Sequence, residues 1–203
     1  MSREAARGPD AGSVRAAPFG PLPVPWGNVL FFGLAAFIVV ADQITKAWVN
    51  ASFPLVQPAS AGGSAAAPTQ VLGEFVEIAK IHNNGAIFGL FGASAPIFAL
   101  ASLAVIGIIL WYQLRRGASS SVVLTVALSL LLGGALGNLI DRLRQGYVID
   151  FMDMGIGTWR WYTFNVADAS ISVSIVLLLL VSLLSERLEG AGGPPTPTRP
   201  EAP

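Results

Sequence analysis

Four apolar segments, each about 20 residues long, limit what this chain can fold into more than any other feature of its sequence. A helix needs roughly 20 residues to cross the hydrocarbon core of a bilayer, so each segment is long enough to span it. Only helices and closed barrels can span a membrane, and these segments lack the alternation of barrel strands. The sequence therefore predicts an all-α membrane protein with four transmembrane helices, at residues 29–49, 95–114, 122–140 and 166–184.

The composition fits this class and removes several kinds of chemistry. Hydrophobic residues make up 53% of the chain and charged residues 12%, about half the charged share of a typical soluble domain. The chain has no cysteine and one histidine, His82, which excludes disulfides, thiolate sites and a metal centre built from several histidines of one chain. We therefore expect no metal and no cofactor. The formal net charge of zero gives no indication of a nucleic-acid partner.

The ends of the chain differ in composition from the apolar segments. Residues 1–26 are rich in Arg, Pro, Gly and Ala, and residues 187–203 are rich in Pro and Gly. Such compositions are typical of disordered chain. The sequence thus predicts disordered tails on both sides of a membrane domain at residues 27–186. A flexible stretch rich in Ala, Gly and Ser follows the first helix.

Basic residues near the ends of the helices predict the orientation in the membrane. Arginines occur before the first helix, between the second and third, and after the fourth: Arg3, Arg7, Arg15, Arg115, Arg116 and Arg187. The positive-inside rule places these segments, and with them both termini, in the cytoplasm. The loops after the first and third helices then face outward. They also carry basic residues, which suggests a use other than topology.

The two outward loops carry the patterns of short strands. Residues 74–81 are rich in β-branched and aromatic residues and predict a strand, and residues 82–85 (HNNG) predict a turn. Residues 147–154 and 158–164 flank a Gly-Ile-Gly sequence, which is a hairpin pattern, and their Trp and Tyr suit the membrane–water interface. We expect a small extracytoplasmic β element, a hairpin or cradle, at the outer end of the helices.

Charged residues occur where the first and third segments reach this outer end. Asp42 and Lys46 stand at i and i+4 and can pair on one helix face. Asn138, Asp141 and Arg142 share one face of the third helix because they are three and four residues apart. Structural ion pairs and helix capping would explain them. Charges in a transmembrane segment also indicate function, and both explanations stay open.

Two further aspartates lie in apolar surroundings: Asp150, between Ile149 and Phe151, and Asp168, after the sequence FNVA. Burial raises the pKa of a carboxyl group, and two close carboxyl groups cannot both ionise readily. Such a pair can do acid–base work on water, because the charged member takes a proton while the protonated member donates one. Asp168 could instead be a helix cap, and Asp150 and Asp153 solvated loop residues. The sequence alone does not prove that Asp150 and Asp168 touch.

Several motifs resemble those of the lipoprotein signal peptidases, or signal peptidases II: DQITKAWV (42–49), NNGAIFGLF (83–91), GGALGNLIDRLRQGYVIDFMD (133–153) and FNVADASI (164–171). They keep the order of the family, and each falls at the matching helix end, so the resemblance covers residues 29–184. It implies a bacterial inner-membrane aspartic endopeptidase with four transmembrane helices. Such an enzyme removes signal peptides from prolipoproteins by cutting before a cysteine that carries diacylglycerol.

The resemblance also implies the site and its partners. Asp150 and Asp168 match the catalytic dyad. The implied partners are a diacylglyceryl-modified prolipoprotein and membrane lipid, with the active site at the outer, periplasmic face; we expect a monomer. Positions that hold substrate or support the dyad match Asp42, Lys46, Asn83, Asn138, Asp141, Arg142 and Asn165.

Within that set the resemblance implies distinct tasks. Asn83, Asn138 and Arg142 would face the substrate backbone or the lipid carbonyl groups. Asp141 would orient Arg142. Asn165 would steady the dyad.

Two other classes of protein fit some of the same residues. Carboxylates paired with Lys or Arg inside helices also mark ion or proton pathways, so a small four-helix transporter or channel subunit is an alternative. Such a protein should hold its charges near mid-membrane and contain inverted repeats, whereas here the charges lie at the outer helix ends without a visible repeat. An assembly scaffold would use polar residues for packing alone and would tolerate Asn at both aspartates. His82 is expected in a turn or interface, without a catalytic role.

Overall fold

The computed structural model describes residues 24–56, 66–85, 95–116 and 121–190. All four helices in this part of the chain are long and apolar enough to cross a membrane. A small sheet accompanies them, so the predicted fold class is confirmed. The elements are α1 (Val24–Ser52), β1 (Thr69–Leu72), β2 (Val76–Asn83), α2 (Ala95–Arg116), α3 (Val122–Gln145), β3 (Val148–Ile156), β4 (Trp159–Arg160) and α4 (Val166–Gly190).

The helices are longer than the apolar segments that predicted them. α1 begins at Val24 and α4 continues to Gly190, so each includes residues that the composition assigned to a tail. Ser121 caps the start of α3 by accepting a hydrogen bond from the Leu124 N–H, and Gly146 closes its end at a φ of 81°. The other residues of the predicted tails, and the Ala/Gly-rich stretch from 57 to 65, lie outside the described residues.

α3 is the central helix, and its glycines explain how closely its neighbours approach. A Cβ atom at Gly133 would lie 2.7 Å from Ile38 Cβ of α1, and one at Gly134 would lie 2.5 Å from Ala167 O of α4. Neither distance is possible for a real Cβ atom, so α1 and α4 can pack here only against glycine. This packing brings the polar ends of three helices together.

The sheet contains four strands in the order β1-β2-β3-β4, and each neighbouring pair is antiparallel. The first two strands lie between α1 and α2 in the chain and the last two between α3 and α4, so the sheet forms at one end of the bundle. β2 pairs with β3 so that Ile81 lies opposite Asp150 and Asn83 lies opposite Val148.

The strand predicted at 74–81 is present, but the turn predicted at 82–85 is wrong at its first two positions. His82 and Asn83 continue β2, where they pair with Ile149 and Val148 of β3. The His82 ring also stacks on the Tyr147 ring at a centroid distance of 3.9 Å. These cross-strand contacts outweigh the turn preference of the HNNG sequence.

The predicted hairpin forms between β3 and β4, and an ion cluster joins it to β2. The Arg160 guanidinium lies 2.9 Å from Glu77 and 3.0 Å from Asp153. Asp153 is therefore paired rather than a solvated loop residue. Beside the cluster, Trp159 and Trp161 are exposed at the tip of the hairpin.

The sheet is fixed to the helices by a small apolar core and by one buried lysine. Val49 of α1 packs with Ile78 of β2 and Phe151 of β3. The Lys80 ammonium donates a hydrogen bond of 3.1 Å to the carbonyl oxygen of Asn50, near the end of α1. Because carbonyl groups at a helix C-terminus lack partners within the helix, this contact stabilises that end. β3 is thereby held over the ends of the helices.

Candidate active site

Asp150 and Asp168 come from different elements, and Asn165 joins them. Asp150 lies in β3 and is 1% exposed, whereas Asp168 lies in the first turn of α4. The side-chain Nδ2 of Asn165 donates to Asp150 Oδ1 at 2.7 Å. Its backbone N–H donates to Asp168 Oδ2 at 3.3 Å. The fold therefore brings together the two aspartates that the sequence singled out.

Hydrogen bonds at the start of α4 hold the Asp168 side chain in place. Asn165 Oδ1 accepts a hydrogen bond of 2.9 Å from the Asp168 N–H, while the Asp168 carboxylate accepts from the Asn165 N–H. This reciprocal pair is a capping box, with Asn165 as the cap and Asp168 three residues later. The capping role that the sequence allowed for Asp168 thus belongs to Asn165. The other carboxylate oxygen of Asp168, Oδ1, is not used in this capping box and can bind another partner.

Asp150 is buried between two amide side chains, so the solvated-loop explanation is wrong for it. Asn83 Nδ2 donates to its Oδ2 at 2.8 Å, opposite the bond from Asn165. Burial, and then the negative charge of Asp168, raise the pKa of Asp150 from 3.8 to about 7, against the opposing effect of the two amide donors. A carboxyl group with this pKa can hold a proton near neutral pH.

Asn138 connects Asp168 to the interior of the bundle. Its Nδ2 donates to Asp168 Oδ1 at 2.7 Å. Its Oδ1 accepts from Lys46 Nζ at 3.0 Å and from Asn165 Nδ2 at 3.2 Å. Because an ammonium group can only donate, Asn138 must turn its oxygen toward Lys46 and its nitrogen toward Asp168.

Lys46 lies between two carboxylates in the bundle. Its Nζ is 2.8 Å from Asp42 and 2.9 Å from Asp141, and all three side chains are at most 5% exposed. The i, i+4 pair predicted for Asp42 and Lys46 is therefore present, buried rather than extended toward water. Sequence reasoning missed Gln43, whose Nε2 donates to Asp141 Oδ1 at 2.9 Å. Its position beside Asp42 was the available signal.

Asp141 does not hold Arg142 in the way that the resemblance implied. The described partners of the Asp141 carboxylate are Lys46, Gln43 and the Ile149 N–H. Adjacent residues of a helix point in different directions, which separates the two side chains. Asp141 instead binds the start of β3.

Arg142 faces a cavity of about 300 Å³ between α2, α3 and α4. One of its N–H groups donates to Asn138 O at 3.2 Å, and the guanidinium lies 5.5 Å from the centroid of the Phe98 ring. The polar side chains of the cavity are Asn138, Arg142, Asp168 and Ser102, and Leu131 belongs to its apolar wall. The arrangement suits a ligand that has a carbonyl group beside an apolar chain.

His82 lies near this site without joining it. Its Nε2 is buried and has no hydrogen-bond partner among the described residues. Burial, and then the positive charge of Lys80, lower the pKa of His82. Within the described residues no group of three or more His, Asp or Glu side chains could hold a metal ion.

Comparison with solved structures identifies the class first. A bacterial membrane enzyme solved by the in meso method at 2.3 Å resolution matches with a TM-score of 0.67 and 24% identity, over 89% of this chain and 100% of that one. A second, solved at 1.9 Å, matches with a TM-score of 0.66 and 25% identity, over 82% and 98%. The chain therefore has the fold of a bacterial membrane enzyme.

The family follows from sequence. The family described as signal peptidase (SPase) II matches residues 34–184. The lipoprotein signal peptidase of Syntrophus aciditrophicus is 37% identical over 146 residues, which cover 69% of this chain and 83% of that protein. The lipoprotein signal peptidase of Syntrophomonas wolfei is 38% identical over 161 residues, which cover 78% and 96%. The chain belongs to the signal peptidase II family and is a peptidase, so the resemblance drawn from its motifs is confirmed.

Proposed function

We propose that this peptidase is an aspartic endopeptidase that removes the signal peptide from diacylglyceryl-modified prolipoproteins. The observation that carries the proposal is the pair of hydrogen bonds from Asn165, which hold Asp150 and Asp168 at one site. The relatives named lipoprotein signal peptidase support the substrate class. The bond cut would be the one before the lipid-modified cysteine, as in the family.

The chemistry needs one protonated and one charged carboxyl group. Asp150 takes the protonated role because its pKa is raised to about 7. Asp168 is the charged member: it takes a proton from water as the water oxygen attacks the scissile carbonyl carbon, and Asp150 donates its proton to the carbonyl oxygen. When the C–N bond breaks, Asp168 gives the proton that it took from water to the leaving amine, and Asp150 regains a proton from a hydroxyl group of the tetrahedral intermediate, so the dyad returns to its starting state.

The cavity beside Arg142 is where we expect the modified end of the substrate. Arg142 and Asn138 can donate hydrogen bonds to peptide or ester carbonyl groups, and the apolar wall can contact an acyl chain. A second cavity, of about 380 Å³ and almost entirely apolar, lies next along α2 and α3 and shares Val105 and Leu131 with the first. The lipid can therefore stay within the bilayer while its peptide reaches the dyad.

The basic residues and the hairpin support one orientation in the membrane. We propose a multi-pass protein of the bacterial inner membrane, with both termini in the cytoplasm and the dyad at the periplasmic face. The arginines around the helices support this orientation. The exposed Trp159 and Trp161 lie in the loop between α3 and α4, where aromatic side chains suit a membrane–water interface. A monomer would suffice, because both aspartates come from one chain.

The alternatives receive less support. A transporter would need charges along a path through the membrane, but Asp42, Lys46 and Asp141 cluster with the dyad at one end of the bundle. A scaffold would have no use for a carboxyl group buried beside a second one. Membership in a peptidase family also favours catalysis.

The test is cleavage of a diacylglyceryl-modified prolipoprotein by purified wild type, Asp150→Asn and Asp168→Asn. Asn keeps the size of the side chain and removes its ionisable group. Asp153→Asn is the matched control, because Asp153 lies in the same strand as Asp150 and binds Arg160. We expect both dyad variants to fold without cleaving and the control to cleave. Cleavage at the wild-type rate by either dyad variant would disprove the proposal.

A further inference from the structure

The buried ammonium of Lys46 has an acceptor for each of its three N–H bonds. Asp42 Oδ2 lies at 2.8 Å, Asp141 Oδ2 at 2.9 Å and Asn138 Oδ1 at 3.0 Å. Lys46 is 2% exposed. A buried ammonium with a partner for every N–H bond limits the movement of the groups around it.

Each carboxylate of this triad also binds the backbone next to one member of the dyad. Asp42 Oδ1 accepts a hydrogen bond of 2.9 Å from the N–H of Ala167, the residue before the α4 aspartate. Asp141 Oδ2 accepts one of 3.2 Å from the N–H of Ile149, the residue before the β3 aspartate. Lys46 therefore connects the two segments that carry the dyad. It reaches the start of α4 through Asp42 and the start of β3 through Asp141.

Gln43 closes a second bridge between the same two carboxylates. Its Nε2 lies 3.3 Å from Asp42 Oδ2, 2.9 Å from Asp141 Oδ1 and 3.2 Å from Gly137 O. Asp42 and Asp141 then each have three donors: Lys46, Gln43 and a backbone N–H. This number of donors explains how two buried carboxylates are stabilised around a single lysine.

Lys46 does not share the cavity that contains Arg142 and Asp168. It lines a separate polar cavity of about 260 Å³, together with Gln43 and Asp141, and the described lining of the Arg142 cavity does not include it. A role in contacting substrate is therefore not supported. The carboxylate partners of Lys46 in turn bind the backbone of the segments that carry the dyad.

We propose that Lys46, bound to Asp42 and Asp141, is a positioning residue that sets the separation of Asp150 and Asp168. This inference rests on the proposed aspartic mechanism. Without Lys46 the like-charged Asp42 and Asp141 would repel each other, so the acceptors of the Ala167 and Ile149 N–H groups would move and the two aspartates could separate. A misplacement of about 1 Å is enough to cost roughly 100-fold in rate.

The test compares Lys46→Met with Lys80→Met in the full chain, with kcat, KM and Tm measured for each. Met has a similar length without charge, and Lys80 is also a buried lysine, but it binds Asn50 at the end of α1. We expect Lys46→Met to lower kcat by about 100-fold with KM near the wild-type value. Lys80→Met should lower Tm and keep kcat. Equal loss of Tm in both variants with kcat unchanged would mean a purely structural role and overturn the proposal.

Gln43→Leu keeps the proposal testable if Lys46→Met does not fold. It leaves every charge of the triad in place and removes one of the two bridges. A fall in kcat of about 10-fold would support positioning, and an unchanged kcat would overturn it. Asp150→Asn, assayed in parallel, distinguishes a failure of the aspartic mechanism from a failure of the positioning role. If it cleaves normally, the aspartic mechanism itself fails; if it is inactive while Lys46→Met and Gln43→Leu keep full kcat, only the positioning role fails.

Discussion

The side-chain amide of Asn165 lies 2.7 Å from Asp150 Oδ1, and the same residue caps the helix that carries Asp168. The start of α4 and the geometry of the dyad therefore depend on one side chain. Its two tasks use different atoms, because Oδ1 accepts from the helix and Nδ2 donates to Asp150. The two tasks can be separated by substitution.

Asn165→Ser should separate them. Serine is a good helix cap, so the helix start should survive, but its side chain is too short to reach Asp150. Loss of one hydrogen bond to a reacting group lowers kcat by roughly 100-fold in comparable sites. We expect that loss with a Tm close to that of the wild type, measured on the same preparation. A variant that keeps wild-type kcat would show that the Asn165 side chain does not orient the dyad.

The pH dependence of kcat should report the proton on Asp150. Its pKa of about 7 predicts a fall in activity as the pH rises above that value, because the dyad loses its acid. The hydrogen bond from Asn83 favours the charged form and so lowers the pKa of Asp150. Asn83→Ala should therefore move the alkaline limb of the profile to higher pH. A shift toward lower pH would contradict this assignment.

The pH dependence of the folding stability should also report the pKa of Asp150, and its direction can be predicted. The pKa of Asp150 is raised on folding from 3.8 to about 7, so the folded state binds the proton more tightly than the unfolded state. Asp150 then contributes stability below the lower value, and that contribution is lost as the pH rises through about 7. Asp150→Asn lacks this dependence. The Tm of the variant minus that of the wild type should therefore increase across this range; a constant difference would argue against the raised pKa.

Sequence reasoning found what depends on local pattern and on motifs. The four helices follow from the length of their apolar runs, and Asp150 and Asp168 stood out by their apolar neighbours. The contacts between elements were out of reach, because they depend on how α1, α3 and β3 pack. Gln43 bridges Asp42 and Asp141 only when α1 lies against α3. The position of Gln43 beside Asp42 was a signal for the residue, but the bridge itself depends on the packing of the two helices.

The helix glycines offer a direct test of that packing. Gly134→Ala would place a Cβ atom 2.5 Å from Ala167 O, whereas Gly107→Ala in α2 would meet nothing within 4 Å. We expect the first to destabilise by about 1–3 kcal/mol through overpacking, and the second to leave Tm unchanged or slightly higher. Thermal unfolding in detergent measures both. Because Ala167 precedes Asp168, Gly134→Ala should also lower kcat. Equal Tm values for the two variants would contradict the close contact of α3 with α4.

Substitution of Arg142 tests substrate binding while both residues of the dyad stay unchanged. A planar guanidinium can donate two parallel hydrogen bonds, and a lysine ammonium cannot reproduce that geometry. Arg142→Lys keeps the charge in the cavity, so any loss reports the shape of the donor. We expect KM for the lipid-modified substrate to rise by about 10-fold, the equivalent of ~1.4 kcal/mol, with a smaller change in kcat.

Arg144→Lys is the matched control for that substitution. Arg144 lies two residues along the same helix and is exposed. It lines the polar cavity of about 260 Å³, with Gln43 and Lys46. Its replacement should leave both kcat and KM unchanged, because residues two apart on a helix do not share a face. If Arg142→Lys also keeps wild-type kinetics, two-donor recognition of the substrate is wrong. A single charge near the cavity would then be sufficient.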